Sequence, residues 1–218
     1  MNTYAEENYL KALFNLSKDK GEVTVQELSK ELQIKMPSVN SMIKKLSEKK
    51  LVHYESYKPL RLSAAGKKEA GLIIRKHRLT EMYLVEKMGF GWEQVHEIAE
   101  QVEHLKSPLF FNKMDELLGF PNVDPHGSPI PDKEGKIQWL QYKKLSDIAI
   151  GEKVKLAGVT NSSEDFLKFL NSRSLHLGLV VKVISIEKFD GSMIVSYGKK
   201  TNETLSKIVT EKLLTERS

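Results

Sequence analysis

The stretch His96-Glu97-Ile98-Ala99-Glu100-Gln101-Val102-Glu103-His104 decides how this chain reads. Val95, Ile98, Ala99, Val102 and Leu105 recur around it at helical spacing, which predicts a helix. His96, Glu100 and His104 then stand four apart on one face, with Glu103 beside them. Two imidazoles and two carboxylates on one stripe offer a divalent cation mixed nitrogen and oxygen ligands. An ordinary solvated acidic helix face fits the same stripe.

Upstream, Ser63 opens a long helix predicted to run to about Met88, with Leu72, Ile73, Leu79, Met82, Leu84 and Val85 as its apolar positions. His77 and Glu81 stand four apart on it, again on one face. Salt bridges to Lys76, Arg78 and Lys87 are an alternative use for the carboxylates, but they do not account for the paired histidines. Downstream, Ser107 to Leu118 reads as a further helix with Pro108 in its first turn. Its Leu109, Phe110, Phe111, Met114, Leu117 and Leu118 exceed what a monomer surface needs. Part of that face is assigned to the core and part to a homodimer interface.

Ahead of these helices comes a different pattern. Thr3 caps a helix to about Ser17; Thr24 with Glu27 three residues on is a capping box for a second. Pro37 begins a third helix, to about Lys50, with Val39, Met42, Ile43 and Leu46 turned inward. A short helix, a tight turn and a helix opening with small polar side chains form the helix-turn-helix pattern. Ser38, Asn40 and Ser41 are placed to reach base edges, and Lys35, Lys44 and Lys45, beside Pro37, to meet the DNA. Leu51–Glu55 and Leu60–Leu62 read as two strands of a wing, whose His53, Tyr54 and Tyr57 are assigned to packing. Between Lys35 and Lys68 there are nine basic residues and two acidic ones. That local excess is larger than the whole-chain charge of +5, so the remainder is net acidic. Concentrated charge on a helix-turn-helix with a wing points to double-stranded DNA.

The 218 residues suffice for two or three small domains. There is no cysteine, which excludes disulfides, thiolate zinc sites and cysteine nucleophiles. The N-terminus has no basic region followed by an apolar run, and no uncharged stretch approaches membrane-spanning length, so a cytoplasmic protein with no membrane partner is expected. Gly127 to Gly135 reads as a linker. Beyond Leu140, Lys153–Val159, Leu179–Ile186, Ser192–Tyr197 and Lys207–Val209 read as strands, Glu164–Asn171 as a short helix, and Asp190-Gly191 as a hairpin turn. The expected fold is mainly α with a small β domain: a winged helix-turn-helix (1–62), a helical domain (63–140) and a β-barrel (141–218).

Arg75-Lys76-His77-Arg78-Leu79-x-Glu81 followed by Val95-His96-x-x-Ala99-x-x-x-Glu103-His104 resembles the diphtheria-toxin-repressor family of metal-dependent transcriptional repressors, as does Pro125-His126-Gly127-Ser128-Pro129-Ile130-Pro131. The resemblance covers about residues 4 to 135 and, more loosely, the rest. It implies that the β domain is SH3-like. It also implies an ancillary metal site at His77, Glu81 and His96, and a regulatory site at Glu100, Glu103 and His104 with a first-helix ligand at Asn8. Asp165 resembles the position from which the barrel lends an oxygen ligand; a helix-start carboxylate offsetting the dipole is the alternative. Glu100 follows the manganese-responsive branch, Asn8 follows neither branch, and Lys11 stands where some manganese regulators have a glutamate ligand. A sulfur-free, oxygen-rich site suits manganese(II) or ferrous iron.

The expectation is a homodimeric, metal-activated repressor of metal-uptake genes that binds an operator. A metal-independent winged-helix regulator is the first alternative. A metalloenzyme is the second, and no His-Glu-x-x-His or P-loop motif supports it.

Overall fold

A computed structural model describes residues 2–217. The chain divides into two compact units, each drawn from three stretches of sequence. The first comprises Met1–Thr80, Glu97–Asn122 and Ile130–Gln138; the second comprises Glu81–His96, Val123–Pro129 and Trp139–Ser218.

The first unit begins with three helices. α1 (Tyr4–Leu16) starts where the Thr3 hydroxyl accepts from the Glu6 N–H and the Glu6 carboxylate accepts from the Thr3 N–H. α2 (Val25–Leu32) repeats that box with Thr24 and Glu27. Gln33, at φ +55°, turns the chain out of α2, and α3 (Met36–Glu48) follows with Pro37 in its first turn. Leu10, Leu13, Leu28, Val39, Ile43 and Leu46 are at most 1% exposed and form one core. β1 (Val52–His53) pairs antiparallel with β2 (Arg61–Leu62) as the wing, and Val23 bridges Leu60. Tyr54 packs against the core as expected, but Tyr57 corrects the packing assignment. At φ +65° in the wing turn, its ring is directed fully into solvent.

α4 (Ala64–Met88) opens with the Ser63 hydroxyl accepting from the Gly66 N–H. α5 (His96–Val102) ends one residue short of Glu103, so Glu103 and His104 lie in the turn that follows it. α6 (Pro108–Leu117) is capped by Ser107. The segment read as a linker is held in place. Residues 130–138 pack within the first unit, Arg75 donates to the Pro131 carbonyl at 2.6 Å, and a Cβ on Gly71 would overlap the Gly135 carbonyl. Its glycine permits a close backbone approach to α4 rather than freedom of movement.

In the second unit, β3 (Lys143–Lys144), β4 (Lys153–Val159), α7 (Glu164–Ser172), β5 (Val180–Ile186), β6 (Met193–Tyr197), β7 (Lys200–Leu205), α8 (Lys207–Thr210) and β8 (Leu213–Arg217) follow in order. The antiparallel sheet runs β3-β8-β4-β5-β6-β7, an SH3-like arrangement around Leu156, Val181, Val183, Val195 and Leu213. The β5–β6 hairpin turns at Asp190-Gly191, where Asp190 accepts from the Ser192 N–H. One strand was misread: Lys207–Val209 is helical, because the Ser206 carbonyl accepts from both Val209 and Thr210. Among the described residues no helix is long and apolar enough to cross a membrane.

Candidate metal centre and DNA-reading face

In the first unit α4 and the end of α5 bring His77, Glu100 and Glu103 together, with ligand atoms all within 4.8 Å of one another, so His77, expected in the ancillary site, also stands beside the two expected regulatory carboxylates. Glu103 is fully buried. Its Oε2 is 2.6 Å from His77 Nδ1; a carboxylate only accepts, so the Nδ1–H donates. Burial alone would raise the Glu103 carboxyl; the hydrogen bond to His77 and the charge of Lys11 outweigh it and hold it below its ordinary value.

His104 is oriented by a residue the sequence reading passed over. Its Nδ1–H donates to Glu7 Oε2 at 2.6 Å, and Tyr4 packs against the ring at 4.6 Å between centroids. With Nδ1 committed as a donor, Nε2 is the ring nitrogen left to face Glu103 Oε1, 3.7 Å away. A carboxylate–histidine pair whose free nitrogen faces a second carboxylate is the arrangement that orients metal-ligating imidazoles. Asn8 has a buried side-chain oxygen with no hydrogen-bond partner. A buried acceptor without a donor is costly, and a cation would relieve it. Lys11 enters the same place: its Nζ lies 2.5 Å from Glu100 Oε1 and 2.7 and 2.9 Å from the two oxygens of Glu103.

The stripe His96–Glu100–His104 therefore does not act as one face. His104 leaves it because the helix stops at Val102, and His96 belongs to the second unit. There His96 Nδ1 lies 3.3 Å from Glu81 Oε1, and Glu81 Oε2 lies 3.7 Å from His126 Nδ1. His126 Nε2–H donates to the Trp92 carbonyl at 2.9 Å, which turns Nδ1 toward Glu81 and Asp124. Burial would lower the His126 imidazole, but the hydrogen bond and charge of Glu81, with that of Asp124, raise it. Asp124 accepts from the His126 and Ser128 N–H groups. Asp124 and His126 were missed as candidates; the signal was an aspartate two residues before a histidine across a proline, which builds such a turn. Asp165 is exposed in the first turn of α7 and joins none of these clusters.

On α3, Lys35, Pro37, Ser38, Ser41, Lys44 and Lys45 are exposed and Asn40 is half-buried. The Ser41 hydroxyl donates to the Pro37 carbonyl at 3.0 Å. Lys45, though exposed, pairs with α1: its Nζ is 3.2 Å from Glu6 Oε1, and Lys49 is 2.8 Å from the same oxygen. Burial would raise the Glu6 carboxyl; hydrogen bonds to Lys49, the Thr3 N–H and Lys45 prevail and bring it down to about 2. Lys45 thus anchors α3 to α1.

A helix-turn-helix and a carboxylate–histidine cluster share one compact unit. The family described as "Iron dependent repressor, N-terminal DNA binding domain" matches residues 1–60, and "Iron dependent repressor, metal binding and dimerisation domain" matches residues 63–132. This chain belongs to the iron-dependent repressor family. A FeoA domain matches residues 143–217 of this repressor-family chain. The iron-dependent repressor IdeR of Mycobacterium leprae is 29% identical over 125 residues, 57% of this chain and 54% of that protein. The match thus spans about half the length of that relative. The regulator MntR of Oceanobacillus iheyensis is 28% identical over 120 residues, 55% of this chain and 81% of that protein. A manganese-dependent transcriptional repressor solved in complex with manganese superposes with a TM-score of 0.85 at 25% identity, covering 98% of this chain and all of that one.

Proposed function

We propose that this chain is a homodimeric transcriptional repressor that binds an operator when a divalent metal, manganese(II) or ferrous iron, occupies the centre formed by Glu100, Glu103, His104 and Asn8. One observation carries the reading. Glu7 fixes His104 so that its free nitrogen faces Glu103, while the Asn8 oxygen stays buried without a donor. Those donors are oxygen-rich and lack sulfur, which suits hard or borderline ions. The bound ion would supply a cross-link between α1 and the turn after α5.

The chain's own residues set what that cross-link does. Asn8 and Glu7 lie on α1, whose Glu6 is tied to α3 through Lys45 and Lys49. A pull on α1 is therefore a pull on the helix that presents Ser38, Ser41 and Lys44. In a dimer, the two copies of α3 must meet half-sites about 34 Å apart or a multiple of it. Metal favours the operator only through its greater affinity for that arrangement. The ancillary site implied by the resemblance is His77, Glu81 and His96, and Glu81 also offers a ligand atom within 4.8 Å of Asp124 and His126 in the second unit. Uptake genes as the controlled targets follow from the family resemblance.

The test is operator binding by fluorescence anisotropy, with metal-stripped protein and added manganese(II), and separately with ferrous iron under anaerobic conditions. Tighter binding with metal, lost in Glu103→Gln, supports the reading. Equal affinity in chelator and in metal would replace it with a metal-independent winged-helix regulator, for which the Lys11 ammonium already supplies a cation between Glu100 and Glu103.

A further inference from the structure

Lys11 is the charged group of the centre that the proposed function leaves without a task. Its side chain is 14% exposed, and its three ammonium donors are directed at Glu100 and at both oxygens of Glu103. An ammonium is a compact point charge with three donors, so it sits between two carboxylates much as a small cation would. The match is incomplete in one respect: the Asn8 oxygen, three residues earlier on α1, still has no donor. A divalent ion would supply what that oxygen lacks. It could not do so with the ammonium in place, because like charges within a few ångströms in a buried site repel strongly.

We infer that Lys11 is a tethered competitor for the regulatory metal: its ammonium holds Glu100 and Glu103 in the metal-free chain and must leave before an ion can seat. The inference rests on the reading of the centre given above. Two consequences follow from the geometry. The ammonium keeps the carboxylates close together without a metal, so the site is preassembled. It also weakens every divalent ion by the same factor, because each must displace the same group. Lys11 therefore sets the metal concentration at which the protein responds and leaves the ranking of metals to the other ligands. Exchange also replaces one tether between α1 and the α5 end by another.

The experiment is calorimetric titration of the metal-stripped full chain with manganese(II), and separately with cobalt(II), for wild type, Lys11→Met, Lys11→Arg and Glu103→Gln. Lys11→Met is expected to tighten both metals by about tenfold or more, the size of one charge-assisted hydrogen bond, and by similar factors. Lys11→Arg is expected to keep affinity near wild type. Unchanged or weaker binding in Lys11→Met, with Glu103→Gln still abolishing it, overturns the competitor and leaves the centre standing. Binding that ignores Glu103→Gln overturns the centre and the competitor with it.

If Lys11→Met does not fold, the wild type still decides. In nitrogen-15 spectra, the Lys11 ammonium signal, assigned by its loss in Lys11→Arg, should be protected from exchange without metal. It should lose that protection on adding one equivalent of diamagnetic zinc(II). Protection that survives zinc binding overturns the proposal.

Discussion

A carboxylate in this chain is set by what reaches it, and Glu6 and Glu103 show how. Both are fully buried, yet both are held below the ordinary carboxylate value, because lysines and N–H or imidazole donors outweigh burial. For Glu6 the folded value is about 2 against an ordinary 4.5. A group depressed on folding stabilises above its unfolded value and loses that contribution as pH falls toward its folded one. Stability should therefore decline between about pH 4.5 and 2, and Glu6→Gln should flatten that segment of the curve. At pH 7 the variant should also cost about 1–3 kcal/mol for the lost charge-assisted bonds, measured by urea unfolding. Lys45 explains why such a residue was hard to read. Its sequence position on an exposed helix suggested a phosphate contact, and only the fold reveals a partner 39 residues upstream. Glu7 escaped notice for the same reason: its histidine lies 97 residues away.

Elements were legible where the signal is local. The boxes Thr3–Glu6 and Thr24–Glu27, Pro37 in the first turn of α3 and Asp190-Gly191 at the hairpin all act within four residues, and each element formed where its signal lies. β3, β7 and β8 were not legible. β7 (Lys-Thr-Asn-Glu-Thr-Leu) has little apolar alternation, and it forms because β6 gives it partners from Met193 to Tyr197. Gly71 in α4 is a test of local against tertiary preference. Inside an exposed helix, Gly→Ala would gain up to about 1 kcal/mol. Here the added Cβ meets the Gly135 backbone, and overpacking costs about 1–3 kcal/mol. Gly71→Ala should thus lower the thermal midpoint, with residues 130–138 gaining amide exchange. A raised midpoint would mean the approach can relax.

For the molecule as a whole, α6 carries the expected assembly surface. Phe111 and Met114 are buried in the chain, whereas Leu109 is 80% exposed, with Phe110, Leu117 and Phe120 also open. Clustered apolar side chains on one helix and the turn after it are the surface that the proposed homodimer would bury. Leu109→Glu is expected to shift a dimer toward monomer in sedimentation equilibrium and to weaken binding to an operator with two half-sites more than to one half-site. An unchanged dimer would move the interface elsewhere. The two units interleave along the chain, and this has a consequence for synthesis. A ribosome releases the helix-turn-helix early, but the first unit lacks its closing segment until residue 138 has emerged, and the second waits for the final strand at Leu213–Arg217. Neither unit is a prefix of the polypeptide, so the nascent chain carries both unfinished at once. Truncations made at apparent domain borders cut through one unit or the other.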